Sequence, residues 1–418
     1  MKRILLACAS VAALSAPAFA QSHTTPRACM PVIYEDPDEK PESSFTDISC
    51  GSEDGIITIG QRIGATSKNR LNSPASVVDR NQINARGASY VTDLLRTLPG
   101  VSVNQSGPAG GLTQVRIRGS EASHTLVIID GVEVSNPNSG EFDFSGLRAD
   151  DIVKIEVLRG EQSALYGSDA IAGVINIITR AGSSTPQYKA SIEGGSFGTF
   201  EGQISAVVPI KNTALSVNGN IFRTDGYDVS GLGGEDDGSN SKSLNIGLNN
   251  VEIGAVYMSG KFGYSQLSTE FDSDSDFDGL LDDTNNESER EIYTGRIDAA
   301  FDVGNIQNLI TASYVETTTQ TNGAFGSISV GTRENINWAA KRQFGQYTVV
   351  TILAETEQEQ YSITPSFAGS PATPKNRNSA LAADLAHNGD TWTFSASARQ
   401  DFNDRFDDAA TWRLGTGY

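Results

Sequence analysis

The stretch that decides the fold, residues 163–180, reads SALYGSDAIAGVINIITR. Its second half, residues 174–179, is a β-branched run that is typical of a buried strand. A phosphate-binding loop needs a lysine after its last glycine, but Gly167 is followed by serine and aspartate, which argues against that function. Gly160, Gly167 and Gly173 therefore indicate tight turns and a close approach of strands.

Upstream of this stretch, the pattern predicts a compact α+β unit over residues 54–182. Residues 89–98 place apolar side chains at helical spacing and stop at a Pro-Gly pair. Residues 125–134, TLVIIDGVEV, consist of two short apolar runs around Asp130 and Gly131, which is a hairpin pattern. Residues 152–160 alternate apolar with charged side chains and predict a further strand.

Downstream, residues 187–418 form a series of segments with period-2 polarity, of which Tyr188, Ala190 and Ile192 are one apolar face. Such segments fit either a soluble sandwich or an outer-membrane barrel, whose strands turn apolar side chains to lipid. Many apolar positions are alanine or glycine, which would make a poor dry core. Short turns also alternate with long polar loops at residues 225–242, 271–289 and 363–377. Both features favour the barrel.

The N-terminus predicts export. Residues 1–20 have a basic start, an apolar stretch and a small-residue cleavage pattern, which together are typical of a secretory signal peptide. Residues 21–53 are rich in proline, serine and acids and predict a flexible periplasmic leader. The leader contains Cys29 and Cys50, which we expect to form a disulfide in an oxidising compartment.

Composition and motifs exclude several functions. The chain of 418 residues has a formal net charge of −20, which argues against binding to nucleic acid. It contains three histidines and lacks the G-x-S-x-G, H-E-x-x-H and C-x-x-C patterns of common catalytic and metal sites. The sequence therefore predicts no enzyme.

One acidic stretch, residues 272–286, predicts a calcium site. Carboxylates occupy the first, third, fifth and ninth positions of a loop with Gly279 at the sixth, which is the pattern that wraps oxygen ligands around Ca²⁺. Asn285 stands where the usual bidentate glutamate would be, so we expect a weaker or shared site. The acidic run 235–237 could contribute. The candidate ligands from this pattern are Asp274, Asp276, Asp278 and Asp282.

Two motifs resemble the plug domain of TonB-dependent outer-membrane receptors, and the similarity is greatest to the vitamin B12 (cobalamin) receptor family. Residues 118–132 read R-G-S-x-x-S-H-x-L-V-x-I-D-G-V, and residues 163–179 read S-A-L-Y-G-S-D-A-I-x-G-V-I-N-I-I-T, in matching order and spacing. The resemblance implies an α+β plug domain followed by an antiparallel transmembrane β-barrel. The family barrel has 22 strands, whereas residues 187–418 show about 12 strand-like segments, so we expect a fragment of a longer chain.

The resemblance also implies roles for individual residues. The segment that would be offered to a TonB-type periplasmic energy-transducing partner, the TonB box, matches Asp54, Gly55, Ile56, Ile57, Thr58, Ile59 and Gly60. Substrate contacts match Leu112, Gln114, Glu121, Ser139, Gly140 and Ser273. Glu121 departs from the more neutral residue expected there. Calcium-binding positions of the family match Asp228, Glu235, Asp237, Asp272 and Asp282.

The predicted function is therefore active transport of a bulky nutrient across the outer membrane. The resemblance favours cobalamin as the nutrient and implies structural Ca²⁺ in the outer loops. Within transport, the alternative is a receptor for an iron–siderophore complex or haem. An alternative of another class is a secreted, soluble calcium-binding β protein.

Overall fold

The computed structural model describes residues 56–58, 66–67, 72–180, 185–323, 326–365, 373–389 and 391–418. The predicted signal peptide, the leader and the cysteine pair Cys29 and Cys50 lie outside these residues. The described residues form two parts: a mixed α+β plug, and an antiparallel sheet that surrounds one side of the plug.

The described part of the plug contains nine strands, three short α-helices and a 3₁₀ helix at Ala122–His124. A five-stranded sheet has the order β3-β8-β9-β6-β7, in which β6 and β9 run parallel and the other neighbours antiparallel. Two-stranded sheets are formed by β1 with β2 and by β4 with β5. The strands are β1 (Ile56–Ile57), β2 (Thr66–Ser67), β3 (Ala75–Asp79), β4 (Val101–Gln105), β5 (Thr113–Ile117), β6 (Thr125–Ile129), β7 (Val132–Glu133), β8 (Ile152–Arg159) and β9 (Gly173–Thr179); the helices are α1 (Arg80–Arg86), α2 (Val91–Leu95) and α3 (Ser163–Tyr166).

The stretch at residues 163–180 closes the plug, as its composition predicts. All seven residues of β9 are buried, and β9 lies between β6 and β8. A Cβ at Gly173 would overlap the carbonyl oxygen of Leu158 in β8, so the close approach of these two strands requires glycine. After Arg180, the chain leaves the plug and enters the first strand of the large sheet at Gln187.

The Asp-Gly hairpin is also confirmed. Asp130 and Gly131 both have positive φ, at 52° and 80°, and connect β6 to β7 with Ile129 opposite Val132. This is the conformation that two-residue hairpin turns prefer, because its twist matches that of the flanking strands.

The helix predicted over residues 89–98 is shorter than its apolar spacing indicates. The α-helix α2 spans only Val91–Leu95, and the following residues continue through i→i+3 hydrogen bonds, such as the one from the Leu98 amide to the Leu95 carbonyl at 3.0 Å. The tighter 3₁₀-type spacing ends the helix before the Pro-Gly pair. Within the described residues, no helix is both long and apolar enough to cross a membrane.

In the described part of the chain, twelve strands form one antiparallel sheet in which each strand pairs with its neighbours in sequence. The count agrees with the sequence prediction. The strands are β10 (Gln187–Gly194), β11 (Phe200–Ile210), β12 (Thr213–Tyr227), β13 (Asp237–Ile253), β14 (Val256–Ser273), β15 (Asp282–Val303), β16 (Ile306–Asn322), β17 (Ser327–Phe344), β18 (Thr348–Pro365), β19 (Lys375–Asn388), β20 (Thr393–Asn403) and β21 (Ala409–Gly417).

The two faces of this sheet are those of a barrel wall. In β11, Phe200 and Ile204 are exposed, whereas Glu201, Gln203 and Ser205 on the opposite face are buried, and Glu201 contacts Arg148 of the plug. A soluble sandwich would bury the apolar side chains instead, so the burial pattern excludes it. The apolar face therefore points outward and the polar face lines the interior.

The long loops are shorter than the sequence predicts. The loops predicted at residues 225–242 and 271–289 are reduced to residues 228–236 and 274–281, because the flanking strands continue into polar sequence. Their polar residues still pair in register; Ser241 lies opposite Leu267, for example. Strand pairing rests on backbone hydrogen bonds, so it extends beyond the part of the strand that alternates in polarity.

Ion pairs and hydrogen bonds join the plug to the polar face of the sheet. The buried Arg148 of the plug donates from Nε to Glu201 Oε1 at 3.2 Å and forms a second bond to the same carboxylate. Its guanidinium carbon lies 4.5 Å from the ring centroid of Tyr90 and 4.7 Å from that of Phe222 in β12. Further pairs across this boundary are Lys261 with Asp130, Arg290 with Asp143, and Arg333 with Glu133.

One plug carboxyl group at this boundary, that of Asp151, is paired with an amide rather than with a cation. Asp151 accepts a hydrogen bond from the Asn245 amide of β13 at 2.8 Å. Burial, together with the nearby carboxylate of Asp130, raises the pKa of Asp151 from its ordinary 3.8 to about 6. Asp130 itself is stabilised by Lys261, at 3.0 Å, so its charge remains close by.

Replacing Arg148 by methionine is expected to lower the free energy of unfolding by about 3–5 kcal/mol, because Glu201 would keep a buried charge without its partner. The measurement is a urea titration of the detergent-solubilised chain, in which unfolding is monitored by the susceptibility of the plug to protease. As a control, Arg223→Met breaks an exposed ion pair with Asp225 and should cost at most ~1 kcal/mol. Equal losses in the two variants would contradict a special role for Arg148.

Asp151→Asn tests the buried carboxyl group through pH. Because the folded chain raises the pKa of Asp151, its stabilising contribution is complete below pH 3.8 and is lost as pH rises through about 6. Relative to Asp151→Asn, the wild-type chain should lose roughly 3 kcal/mol of unfolding free energy between pH 4 and pH 8. The same urea titration at several pH values measures this difference, and parallel pH profiles would contradict the raised pKa.

Candidate functional site

The predicted calcium ligands lie at one end of the sheet, in the loops 228–236 and 274–281 and at the strand ends beside them. The turns at the opposite end are short, two residues each at 211–212, 254–255 and 304–305. In outer-membrane barrels the short turns face the periplasm and the long loops face outward. The acidic loops therefore mark the outward end.

The first acidic cluster consists of Glu235, Asp237 and Asp272, each of which offers one carboxylate oxygen within 4.8 Å of the other two. The loop amides hold two of them in place: Val229 N donates to Asp237 at 2.8 Å and Ser230 N to Asp272 at 2.9 Å. One oxygen of Glu235 and one of Asp237 are buried without a hydrogen-bond partner among the described residues. Such oxygens need a counter-charge, so the donor set fits a hard cation.

The electrostatics of this cluster agree with the geometry. Burial raises the pKa of Glu235, and the neighbouring carboxylates of Asp237 and Asp272 raise it further. The pKa of Asp237 is raised as well, by burial and by the neighbouring carboxylate of Asp272. A bound divalent cation would reverse that effect, because it favours the charged form of every ligand.

The second acidic cluster consists of Asp274, Asp276 and Asp282, again with one carboxylate oxygen of each within 4.8 Å of the other two. The backbone of the loop turns at Gly279, where φ is 91°, and its amide donates to Asp274 at 2.8 Å. Ser275 N donates to Asp282 at 2.8 Å. The calcium pattern of the sequence thus brings three of its four carboxylates together.

Two predicted ligands are not brought into either cluster. Asp228 accepts hydrogen bonds from the amides of Gly231, at 2.7 Å, and Gly233, at 2.6 Å, and these bonds shape its own loop. Hydrogen bonds from Ser230 and from these amides lower the pKa of Asp228. Asp278 accepts from Leu280 N at 2.8 Å and likewise closes a turn.

The predicted substrate contacts of the plug form a connected polar surface. Gln114 donates to Glu141 at 2.6 Å and accepts from Arg116 at 3.3 Å. Arg116 in turn lies 3.8 Å from the carboxylate of Glu121. Arg116 and Glu141 are absent from the sequence prediction, although the i, i+2 spacing of Arg116 from Gln114 on a strand places both on one face.

The remaining predicted contacts lie near this surface or in the loops. Leu112 is half exposed at 50%, and Ser139 accepts a hydrogen bond from the Glu141 amide at 3.3 Å. Gly140 has a φ of 70° and lies against Ser123. Ser273 lies opposite Asp282 between β14 and β15, so it belongs to the outer loop rather than to the plug surface.

Of the predicted TonB box, Ile56, Ile57 and Thr58 are described, while Asp54, Gly55, Ile59 and Gly60 lie outside the described residues. Ile56 and Ile57 form β1, which pairs with β2. Ile57 is completely buried, and the Thr58 amide donates to the carboxylate of Glu156 in β8. This part of the segment is docked against the plug sheet.

The sequence analysis missed Glu156. The alternation in β8 predicts that its charged side chains face solvent, but Lys154 and Glu156 are both buried. The segment that contains Thr58 covers the polar side of β8. The local sequence of β8 does not predict this contact. A pair of opposite charges at i and i+2 within an otherwise apolar strand is the signal that could have pointed to it.

Comparisons with known proteins show which proteins the chain resembles. Residues 67–174 match the family model described as TonB-dependent Receptor Plug Domain. The chain is 29% identical over 376 residues to the vitamin B12 transporter BtuB of Photobacterium profundum, a match that covers 88% of this chain and 60% of that protein.

Solved structures share the fold. The siderophore receptor PirA of Acinetobacter baumannii matches with a TM-score of 0.69 at 19% identity, over 84% of this chain and 59% of that one. The ferric enterobactin receptor PfeA of Pseudomonas aeruginosa matches with a TM-score of 0.66 at 19% identity, over 82% and 59%.

The chain thus spans about 60% of the length of the relatives it matches. Its plug carries the family's domain, its twelve-stranded sheet has the family's fold, and the outer membrane is where such receptors are found. Residues 67–174 thus match the plug domain of TonB-dependent receptors, and the chain resembles such outer-membrane receptors in sequence and in fold.

Proposed function

We propose that this chain serves TonB-dependent active transport of cobalamin across the outer membrane. The observation that carries the proposal is a plug joined by ion pairs to the polar face of a barrel sheet, with a candidate TonB box docked on it. A plug that fills the interior of the sheet needs an energy source to open a path. Transport without chemical conversion is the activity proposed.

The choice of cobalamin rests on two supports. The first is the 29% identity to a vitamin B12 transporter over most of the chain. The second is the pair of carboxylate clusters in neighbouring outer loops, where the resemblance to the cobalamin receptors implies calcium. Bound Ca²⁺ would join the loops 228–236 and 274–281, since Asp272 at the end of β14 completes the cluster of the other loop.

An iron–siderophore complex is the second candidate substrate. Receptors for siderophores share the fold, although likeness at 19% identity concerns the fold alone. The charges of the plug surface bear on the choice. Glu121 lies beside Arg116 and Glu141 binds Gln114 there, and ferric siderophores that carry negative charge would meet these carboxylates unfavourably.

The proposed partner is a TonB-type periplasmic protein. An extended segment can bind such a protein by adding a strand to a sheet, and β1 already has extended backbone. Ile56, Ile57 and Thr58 would have to leave the plug before this pairing forms.

Binding of labelled cobalamin to outer-membrane vesicles that contain the chain tests the substrate. We expect saturable binding that weakens when Ca²⁺ is removed by a chelator. Arg116→Gln should alter the affinity, whereas Arg223→Gln, in an exposed pair on β12, should leave it unchanged. Saturable binding of a ferric siderophore and none of cobalamin would overturn the choice of substrate.

Calcium titration by isothermal calorimetry tests the loop clusters. Asp237→Asn and Asp276→Asn each remove one charge from a cluster and should weaken Ca²⁺ binding at least about tenfold. The matched controls Asp236→Asn and Asp278→Asn remove the same charge from the same loops outside the clusters. Equal effects of cluster and control substitutions would indicate only a diffuse acidic surface.

A further inference from the structure

One short loop of the plug, residues 106–112, contacts the outward end of the large sheet. It connects β4 to β5, and the Ser106 amide donates to the Leu112 carbonyl at 2.9 Å, which closes the loop. Inside it, the Gly111 amide donates to the carbonyl of the buried Pro108 at 3.1 Å. The loop thus has a defined shape, and it ends at the predicted substrate contact Leu112.

Two side chains of the sheet, Ser239 in β13 and Thr269 in β14, hold this loop at Gly110. The Thr269 hydroxyl donates to the Gly110 carbonyl at 3.1 Å. Both side chains are buried, and they lie opposite each other in register. A Cβ at Gly110 would overlap both hydroxyl oxygens, and its φ of 92° also favours glycine. The backbone of the loop therefore packs directly against these two side chains.

The same two strands carry the first acidic cluster. Asp237 begins β13 two residues before Ser239, and Asp272 lies three residues after Thr269 in β14. Neighbouring carboxylates repel one another, and a divalent cation between them replaces that repulsion by attraction. A cation in the cluster would therefore hold the outer ends of β13 and β14 together, next to the pair that contacts Gly110.

The outer ends of these strands are joined by side chains rather than by the backbone. Among the described residues, the backbone ladder between β13 and β14 ends at Ser239 and Thr269. One residue further out, the Gly238 amide donates to the side chain of Glu270 at 2.9 Å. The separation of the two ends therefore depends on side-chain charge, which a bound cation changes.

We propose that Ser239 and Thr269 are positioning residues for the plug. They hold the loop 106–112 against the sheet, and they make the order of this loop depend on the cation in the first acidic cluster. This inference rests on the proposed function, because it assigns a regulation to the substrate surface and the cation site named there. A cation in the outer loops then acts on Leu112 without touching it.

Hydrogen–deuterium exchange of the full chain in detergent, with CaCl₂ or with an excess of chelator, tests this link. In the wild-type chain, peptide 106–112 should exchange roughly fivefold or more slowly with Ca²⁺ than with the chelator, because the cation fixes the strands that hold the loop. Asp237→Asn removes a charge of the cluster and should reduce this calcium response. Asp236→Asn removes the same charge outside the cluster and should leave it unchanged.

Two glycines of the loop provide a matched pair of variants. Gly110→Ala places a methyl group against Ser239 and Thr269, so the loop should lose its calcium response. Gly107 also has a positive φ, of 81°, but no atom of the described residues lies within 4 Å of an added Cβ. Gly107→Ala thus introduces similar backbone strain without the clash, and it should keep the calcium response.

The hydroxyl of Thr269 is tested with a conservative pair. Thr269→Val removes the hydrogen bond to Gly110 and should abolish most of the calcium response, whereas Thr269→Ser keeps the hydroxyl and should retain it. Strands β8 and β9 should keep their protection within about twofold in every variant. A wild-type loop that does not respond to Ca²⁺, or a full response in Gly110→Ala and Thr269→Val, would overturn the proposal.

Binding of labelled cobalamin to the same preparations separates this proposal from the proposed function. If the wild-type loop responds to Ca²⁺ and no preparation binds cobalamin, the choice of substrate is wrong and the positioning role stands. If cobalamin binds and the loop does not respond to Ca²⁺, the positioning role is wrong and the choice of substrate stands.

Discussion

The structure depends on the polar inner face of its large sheet, because the polar side chains of that face need hydrogen-bond and ion-pair partners that lipid cannot provide. The plug supplies the partners: Arg148 reaches Glu201, and Arg333 of β17 is 3% exposed among carboxylates of both parts. Breaking such pairs by removing one member is costly, because the remaining charge is buried without a partner. The ion pairs therefore fix the position of the plug relative to the sheet.

Most of the architecture could be predicted from local pattern. Period-2 polarity identified the strands of the sheet, and the Asp-Gly pair identified the hairpin, because both are set by residues close in sequence. The residues at which the strands and helices begin and end were predicted less accurately. The strands β13 and β15 extend into polar sequence, and α2 ends early. The alternation of polar and apolar residues does not show where backbone pairing continues or where a 3₁₀ turn begins.

The candidate sites divide along the same line. The loop pattern that predicted a calcium site brings Asp274, Asp276 and Asp282 together, because all three lie close in sequence. It could not tell that Asp278 would serve a turn instead. Glu156 and Thr58 are separated by 98 residues, so their contact depends on how the sheet is assembled. Local pattern does not predict long-range polar contacts of this kind.

The hairpin turn at Asp130 and Gly131 has a meaning beyond the shape of the plug. Lys261 binds the Asp130 carboxylate, and the Arg296 guanidinium donates to the Gly131 carbonyl so closely that a Cβ at Gly131 would overlap it. The turn thus fastens together two parts of the chain that lie 131 residues apart. Gly131 is required for two reasons: the hairpin turn has a positive φ there, and the Arg296 side chain of β15 leaves no room for a Cβ. Exchange of plugs between receptors would consequently have to carry the matching strands β14 and β15 with it.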